Sequence, residues 1–309
     1  MSLIYSLLVV FIIFLGLFLN YREKLFIFLK NTRPIQIIYH LGLLLLGIGL
    51  GIEFTKINWD WDFFNIIALL NIIIAVILAW ITSIIVNDIF DQKIDSISNK
   101  TRPLILGKFS EKEYISIGLI TFFFSILFSA IVNPKVSLLL IAYQALAWVY
   151  SAQPLRLKTI PILATAISAL ASILIFITGF ILVTPTQDIS QLSHRILWLL
   201  FISLTLSLPI KDLKDIAGDK KNGIKTIPVI FGEYWGKIII GINIFISYIL
   251  SVIFLNEIKL SLWAILFGGI SFWLINTPKK YKKITDRNLI LWIMTILAVY
   301  IIIAYFIIF

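Results

Sequence analysis

The sequence predicts an all-α fold, a polytopic bundle of transmembrane helices, and three observations carry that prediction. Of its 309 residues 60% are hydrophobic and 14% charged, against roughly 25% charged in an average soluble domain. Mean hydropathy is +1.03. Apolar runs of about twenty residues recur from one end of the chain to the other, each long enough to cross a hydrocarbon core of roughly 30 Å as a helix.

Taken in order between charged breaks, the runs place spans at residues 3–19, 34–51, 63–86, 114–132, 136–150, 160–183, 195–210, 235–255, 260–276 and 288–308. The first has no positive segment before it and no small-residue cleavage site after it, so it is expected to stay as a helix. If the spans alternate, segments 20–33, 87–113, 151–159, 211–234 and 277–287 share one side of the membrane. With Lys237 assigned to the same side at a helix mouth, only Lys56, Lys135, Arg195 and Lys259 of the 26 lysines and arginines fall on the other. Such a bias places the basic loops in the cytoplasm and both termini outside. It also explains the net charge of +10 by topology, with no need of nucleic acid as a partner. The basic cluster Lys279, Lys280, Lys282, Lys283 and Arg287 is read the same way, as a topology signal or a contact for anionic lipid.

The absence of cysteine removes disulfides, thiolate metal sites and a cysteine nucleophile. Two histidines, His40 and His194, are too few for a histidine metal site, and His40 is read as a satisfied helix residue. Any metal must therefore be held by oxygen.

Two loops supply that oxygen. The first, NDIFDQKIDSISNKTRPL from Asn87, sets Asn87, Asp91 and Asp95 four residues apart, which on a helix puts all three on one face. The second, KDLKDIAGDKKNGIKTIPV from Lys211, repeats the interval with Asp215 and Asp219 and adds Asp212 one turn earlier. Carboxylates stacked this way repel one another. A hard cation relieves that repulsion, and magnesium combines one or two carboxylates with phosphate oxygens and water. Both loops also carry bases: Lys93, Lys100, Arg102 and Lys108 in one, Lys211, Lys214, Lys220, Lys221 and Lys225 in the other. Acids for metal and bases for phosphate together describe a diphosphate site. One DxxxD pair alone reads as an ordinary solvated helix; its repetition at two helix mouths, in a chain with few acids, does not.

These residues resemble the UbiA-type intramembrane prenyltransferases. That family's NDxxDxxxD motif is matched by Asn87 to Asp95, and its second DxxxD motif by Asp215 to Asp219. Arg102-Pro103 follows the first motif as the family's RP does, and Gly223-Ile224-Lys225-Thr226 follows the second. The stretch from Tyr150 through Pro154 and Arg156 to Lys158 is similar to the family's YSxxPxxLK loop, and Arg33-Pro34 to the start of its first helix. The resemblance runs from about residue 33 to the C-terminus. It divides the chain into an extra N-terminal helix with a basic connector, 1–32, and a prenyltransferase domain of nine helices, 33–309.

The resemblance implies two motifs facing each other across the bundle, a polyprenyl diphosphate donor and magnesium as cofactor. Asn87, Asp91 and Asp95 would hold one ion, Asp215 and Asp219 a second, with Asp88 and Asp212 as ligands or supports. Arg102, Arg156 and Lys158 would contact the diphosphate, although the latter two also fit as topology signals. Tyr150 would turn its ring to the allylic cation or serve as an interfacial anchor. The acceptor, an aromatic ring or a lipid, is open; the second loop looks closest to members that use homogentisate-like or glycerol-lipid acceptors. A transporter is the rival from another class, but its sites lie near the bilayer midplane, and no charged midplane cluster is present. A CDP-alcohol phosphotransferase would need a glycine and an Ala-Arg pair after the first aspartates, which are missing. A non-enzymatic lipid-binding descendant would not need complete metal motifs.

Overall fold

The structure, a computed structural model, describes residues 1–57, 59–221, 223–277 and 286–309. Among them all regular structure is helical, and the chain divides into two compact units, Met1–Arg156 with Ala171–Gln191, and Leu157–Leu170 with Leu192–Phe309.

The first unit opens with α1 (Ser2–Asn20), α2 (Arg22–Asn31) and α3 (Pro34–Thr55), followed by α4 (Phe63–Phe90), α5 (Gln92–Ser98), α6 (Glu111–Val132) and α7 (Pro134–Ser151). The starts follow their sequence. Asp62 accepts the Asn65 amide at 2.7 Å to cap α4, Ser110 and Glu113 form a reciprocal capping box on α6, and Asn133 caps α7 just before Pro134. α4, α6 and α7 pack together, with Thr82 and Thr121 hydroxyls paired at 2.9 Å across α4 and α6. The C-terminal part of α8 (Pro161–Val183) belongs to this unit and lies against α3. There Gly47 meets the Phe176 carbonyl and Gly179 the Leu44 carbonyl, so closely that neither has room for a Cβ. Such small-residue contacts are how helices approach in lipid.

α1 is mostly exposed and apolar, as a lipid-facing helix should be. It is tied to α4 at one polar point: fully buried Asn71 accepts from the Ser6 hydroxyl and donates to the Leu3 carbonyl at 3.1 Å.

The second unit holds α9 (His194–Ser207), a 3-10 turn (Leu208–Lys214), α10 (Ile216–Lys221), α11 (Ile227–Leu255), α12 (Ser261–Asn276) and α13 (Asp286–Ile308). Its core gathers Ile240, Ile244 and Tyr248 of α11, Ala264 and Ile275 of α12, and Leu289, Ile293 and Tyr300 of α13. Tyr248 and Tyr300 meet edge to face at 4.9 Å, and Tyr300 shares a hydrogen bond with Ser251. α11 breaks at Gly232, whose φ of 78° favours glycine. That break is why the sequence placed its span only from 235.

Among the described residues nine helices are long and apolar enough to cross a membrane, at nine of the ten expected places. The remaining span, 136–150, forms as α7. Its 18 residues reach about 27 Å, but Lys135, Ser137 and Gln144 leave it less apolar than the other nine. Lys279, Lys280, Lys282, Lys283 and the Arg287 side chain lie outside the described residues.

Candidate metal and diphosphate site

The two acidic motifs share a local backbone. α4 ends at Phe90, Asp91 takes φ −104° and ψ 9°, and α5 begins at Gln92. Backbone bonds from Asp91 to Asn87 (3.0 Å) and from Asp95 to Asp91 (2.8 Å) carry the four-residue interval through this break. Asn87, Asp91 and Asp95 therefore keep a common face. In the second unit the 3-10 turn ends at Lys214, Asp215 takes φ −110° and ψ 8°, and α10 follows. The Asp215 amide bonds to Asp212 at 3.1 Å and that of Asp219 to Asp215 at 2.9 Å. Gly223, at φ 70°, turns the chain so that Ile224 bonds back to the Asp219 carbonyl.

The side chains around the two turns differ. In the first, the Arg156 guanidinium donates to Asp91 Oδ1 at 2.8 Å, while Asn87 donates to Asp91 Oδ2 at 3.0 Å and to Ser151 at 3.3 Å. Asp95 is buried; its Oδ1 accepts from Asn99 at 2.9 Å, and its Oδ2 accepts no hydrogen bond, the nearest cation being Arg102 Nε at 3.8 Å. Burial raises the Asp95 pKa, opposed by the Asn99 hydrogen bond and the Arg102 charge. Asp88 points elsewhere. It is buried and accepts from Asn31 (2.7 Å), Tyr114 (3.0 Å) and Arg33 (3.1 Å), with Arg102 Nε 3.8 Å away. Of the two roles open to Asp88, ligand or support, this geometry fits support.

In the second turn Lys214 approaches Asp215 only to 3.8 Å, and Thr226 donates to Asp219 at a long 3.5 Å. Burial first, then repulsion from Asp212 and Asp215, pushes the Asp219 pKa up to about 7. In the same unit Lys158 is buried, on the 3-10 turn Leu157–Thr159. Tyr150, in the first unit, is half-buried near the end of α7.

Among the described residues no three acidic, histidine or cysteine side chains converge as a ready-made metal cage. In the first turn Arg156 already neutralises Asp91. The donor set nevertheless suits a hard cation: it is all oxygen, Asp95 keeps a buried oxygen without a hydrogen bond, and burial together with repulsion from Asp212 and Asp215 raises the Asp219 pKa. A cation carrying its own waters and phosphate oxygens needs only one or two protein carboxylates.

The motifs and the family resemblance named the acids and Arg102, Arg156 and Lys158 as candidates, but gave no role to Asn31, Asn99 or Tyr114, and placed Arg33 only at a helix start. No local pattern marks them, because Asn31 and Arg33 reach Asp88 across 57 and 55 residues and Tyr114 across 26. His40 is the satisfied helix residue expected: it lies between the Gln36 carbonyl at 2.6 Å and the Tyr143 hydroxyl at 3.0 Å, against Trp80.

The family model described as the UbiA prenyltransferase family matches residues 59–299. Digeranylgeranylglyceryl phosphate synthase of Sulfurisphaera tokodaii is 29% identical over 194 residues, 62% of this chain and 68% of that protein. The same-named proteins of Methanothrix thermoacetophila (25% identical; 54% of this chain, 60% of the relative) and Methanosphaera stadtmanae (31%; 48% and 52%) are matched over shorter stretches. A UbiA homologue from Archaeoglobus fulgidus, solved with GPP and Mg2+, superposes with a TM-score of 0.67 at 21% identity. The overlap covers 91% of this chain and 99% of that one. At that identity the likeness is one of fold.

Proposed function

This chain belongs to the UbiA prenyltransferase family and is an integral membrane protein, and from that premise we propose that it moves a prenyl group from a polyprenyl diphosphate to a lipid acceptor within the bilayer. The observation that carries the proposal is the pair of acidic turns, built on one backbone pattern at two helix ends. We assign residues 33–309 to the catalytic domain and 1–32 to an added helix and connector.

In this reading Asn87, Asp91 and Asp95 hold one magnesium ion, and Asp215 and Asp219 a second. Magnesium, when bound, offsets the charge that grows on the departing diphosphate. Arg102, Arg156 and Lys158 donate to phosphate oxygens. Arg156, bonded to Asp91 at 2.8 Å, would donate to a phosphate oxygen instead where that carboxylate served a cation. The allylic C–O bond breaks, its electron pair leaves with the diphosphate, and an acceptor hydroxyl oxygen bonds the cationic carbon and loses its proton. Tyr150 offers its ring to that cation, an attraction of about 2 kcal/mol when desolvated. Surrounding apolar helices keep water from capturing it.

The acceptor we assign is the free hydroxyl of a glyceryl phosphate that already carries one prenyl ether. Its support is the name shared by the curated relatives, which specifies a product with two geranylgeranyl groups on glyceryl phosphate. We place both acidic turns on the cytoplasmic side, on the strength of the lysine and arginine bias.

Membranes containing the chain, given magnesium, labelled geranylgeranyl diphosphate and geranylgeranylglyceryl phosphate, are expected to form the doubly prenylated lipid. Asp91→Ala and Asp215→Ala are each expected to reduce the rate by more than about 100-fold, the scale set by losing an electrostatic partner of the transition state. No product with any allylic diphosphate would overturn the reading. Because the chain has no cysteine, one introduced at Ser96 or Lys220 reports sidedness directly through a membrane-impermeant thiol reagent.

A further inference from the structure

The amide of Asn31, the last residue of α2, makes three hydrogen bonds to residues on three other segments. Its nitrogen donates to Asp88 Oδ2 at 2.7 Å and to the Tyr114 oxygen at 3.0 Å, and its oxygen accepts from Arg102 NH1 at 2.7 Å. The protons fit without conflict. Tyr114 receives one and passes its own to Asp88 at 3.0 Å, which closes a triangle and fixes which way round the amide sits. Turning the amide over would set its oxygen against a buried carboxylate.

The bond to Asn31 is, among the described residues, the only side-chain hydrogen bond that Arg102 makes; its Nε lies 3.8 Å from both Asp88 and Asp95 and bonds to neither. Asn31 therefore sets the direction of the Arg102 guanidinium. The segment around Asn31 makes further contacts of its own. The neighbouring Thr32 carbonyl accepts from Trp80 at 2.9 Å, Lys24 pairs with Glu113 and Glu23 with Lys108, each at 2.8 Å, and α1 is fixed to α4 through Asn71. The stretch before residue 59, where the family match begins, is thus fastened to α4, α6 and the loop between α5 and α6.

We propose that Asn31 is a positioning residue of the diphosphate site, through which the N-terminal segment orients Arg102 toward the donor's phosphates and keeps Asp88 turned away from the metal. The proposal rests on the diphosphate reading above. It makes α1 and α2 a working part of the site, where the sequence suggested only an addition to it.

The test uses the full-length chain in detergent and measures binding of inorganic pyrophosphate with magnesium by calorimetry, a readout separate from turnover. Asn31→Leu keeps the branched outline of the side chain and removes all three bonds; it is expected to weaken pyrophosphate binding about tenfold, the scale of one charge-assisted hydrogen bond. In assays KM for the donor should rise by a similar factor while kcat changes little. Tyr114→Phe, which takes one bond each from Asp88 and Asn31 but leaves the Asn31–Arg102 bond in place, should bind pyrophosphate within about twofold of wild type. In an Arg102→Gln background, Asn31→Leu should cause no further loss, since its effect passes through Arg102.

Wild-type-like pyrophosphate binding by Asn31→Leu would overturn the proposal, as would full additivity with Arg102→Gln. If Asn31→Leu cannot be recovered folded, Asn31→Ser, small and polar, is judged by the same two criteria. A wild-type chain that binds no pyrophosphate with magnesium would instead sink the diphosphate reading, and this inference with it.

Discussion

The turns at Asp91 and Asp215 have nearly the same backbone, with φ and ψ of −104° and 9° in one and −110° and 8° in the other, yet their charges are balanced by opposite means. Around the first stand three arginines. Arg156 binds Asp91, Arg33 binds Asp88, and Arg102 sits between Asp88 and Asp95. Around the second, Lys214 comes within 3.8 Å of Asp215, and burial first, then repulsion from Asp212 and Asp215, pushes the Asp219 pKa up to about 7. Arginine's planar fork can be held in place by several partners, whereas lysine is a mobile point charge. The carboxylates of the first turn are thus largely paired with arginines, whereas in the second Lys214 stays 3.8 Å from Asp215.

Removing one carboxylate from each turn should expose that difference most strongly. Asp88→Ala would strip a carboxylate partner from Arg33 and Arg102 and take one hydrogen bond each from Asn31 and Tyr114. A broken buried network of this kind costs about 3 to 5 kcal/mol. Asp215→Ala loses only a 3.8 Å approach to Lys214 on a half-exposed group, and should cost no more than about 0.5 kcal/mol in the absence of magnesium. Thermal unfolding of both variants in detergent decides the matter. Equal losses would mean that the two turns are not neutralised differently.

The contrast also marks the reach of the sequence. Asn87, Asp91 and Asp95 could be placed on one face from spacing alone, because the four-residue interval is a local property that survives the break at Asp91. The apolar runs located the helices for the same reason, with α7 set slightly apart by Lys135, Ser137 and Gln144. Nothing in the spacing distinguished the surroundings of Asp88 from those of Asp91. The partners of Asp88, namely Asn31, Arg33 and Tyr114, arrive from other parts of the chain by way of tertiary packing. Nor could spacing reveal that α2 would be tied by Asn31 to Arg102.

A smaller effect separates the two basic partners. Arg156 and Asp91 are joined at 2.8 Å with both side chains largely covered. Arg156→Ala, which leaves Asp91 short of a charge-assisted bond, should lower magnesium-free stability by about 1.5 to 3 kcal/mol. Lys214→Ala removes a long, half-exposed contact and should stay within about 0.5 kcal/mol of wild type. If added magnesium restored the Arg156→Ala midpoint to that of wild type, ion and guanidinium would be interchangeable on Asp91, as the exchange in the proposed mechanism requires.

The smallest expected effect is the most particular to the second turn, because it depends on pH. Asp219 has a folded-state pKa pushed from its ordinary 3.8 up to about 7, so the folded chain holds that proton more tightly than the unfolded chain does. Between those values stability must fall as pH rises, and the loss is complete once pH exceeds about 7. Asp219→Asn removes the charge and with it the loss. The variant should match wild type near pH 4 and exceed it near pH 8, by no more than about 1 kcal/mol because the group is only half covered and water screens it. Magnesium at the higher pH should narrow the gap by stabilising wild type alone, since only wild type keeps the full set of carboxylates. A gap that is the same at both pH values would show that neither burial nor the neighbouring carboxylates raise the Asp219 pKa, and the second turn would then be as well neutralised before binding as the first.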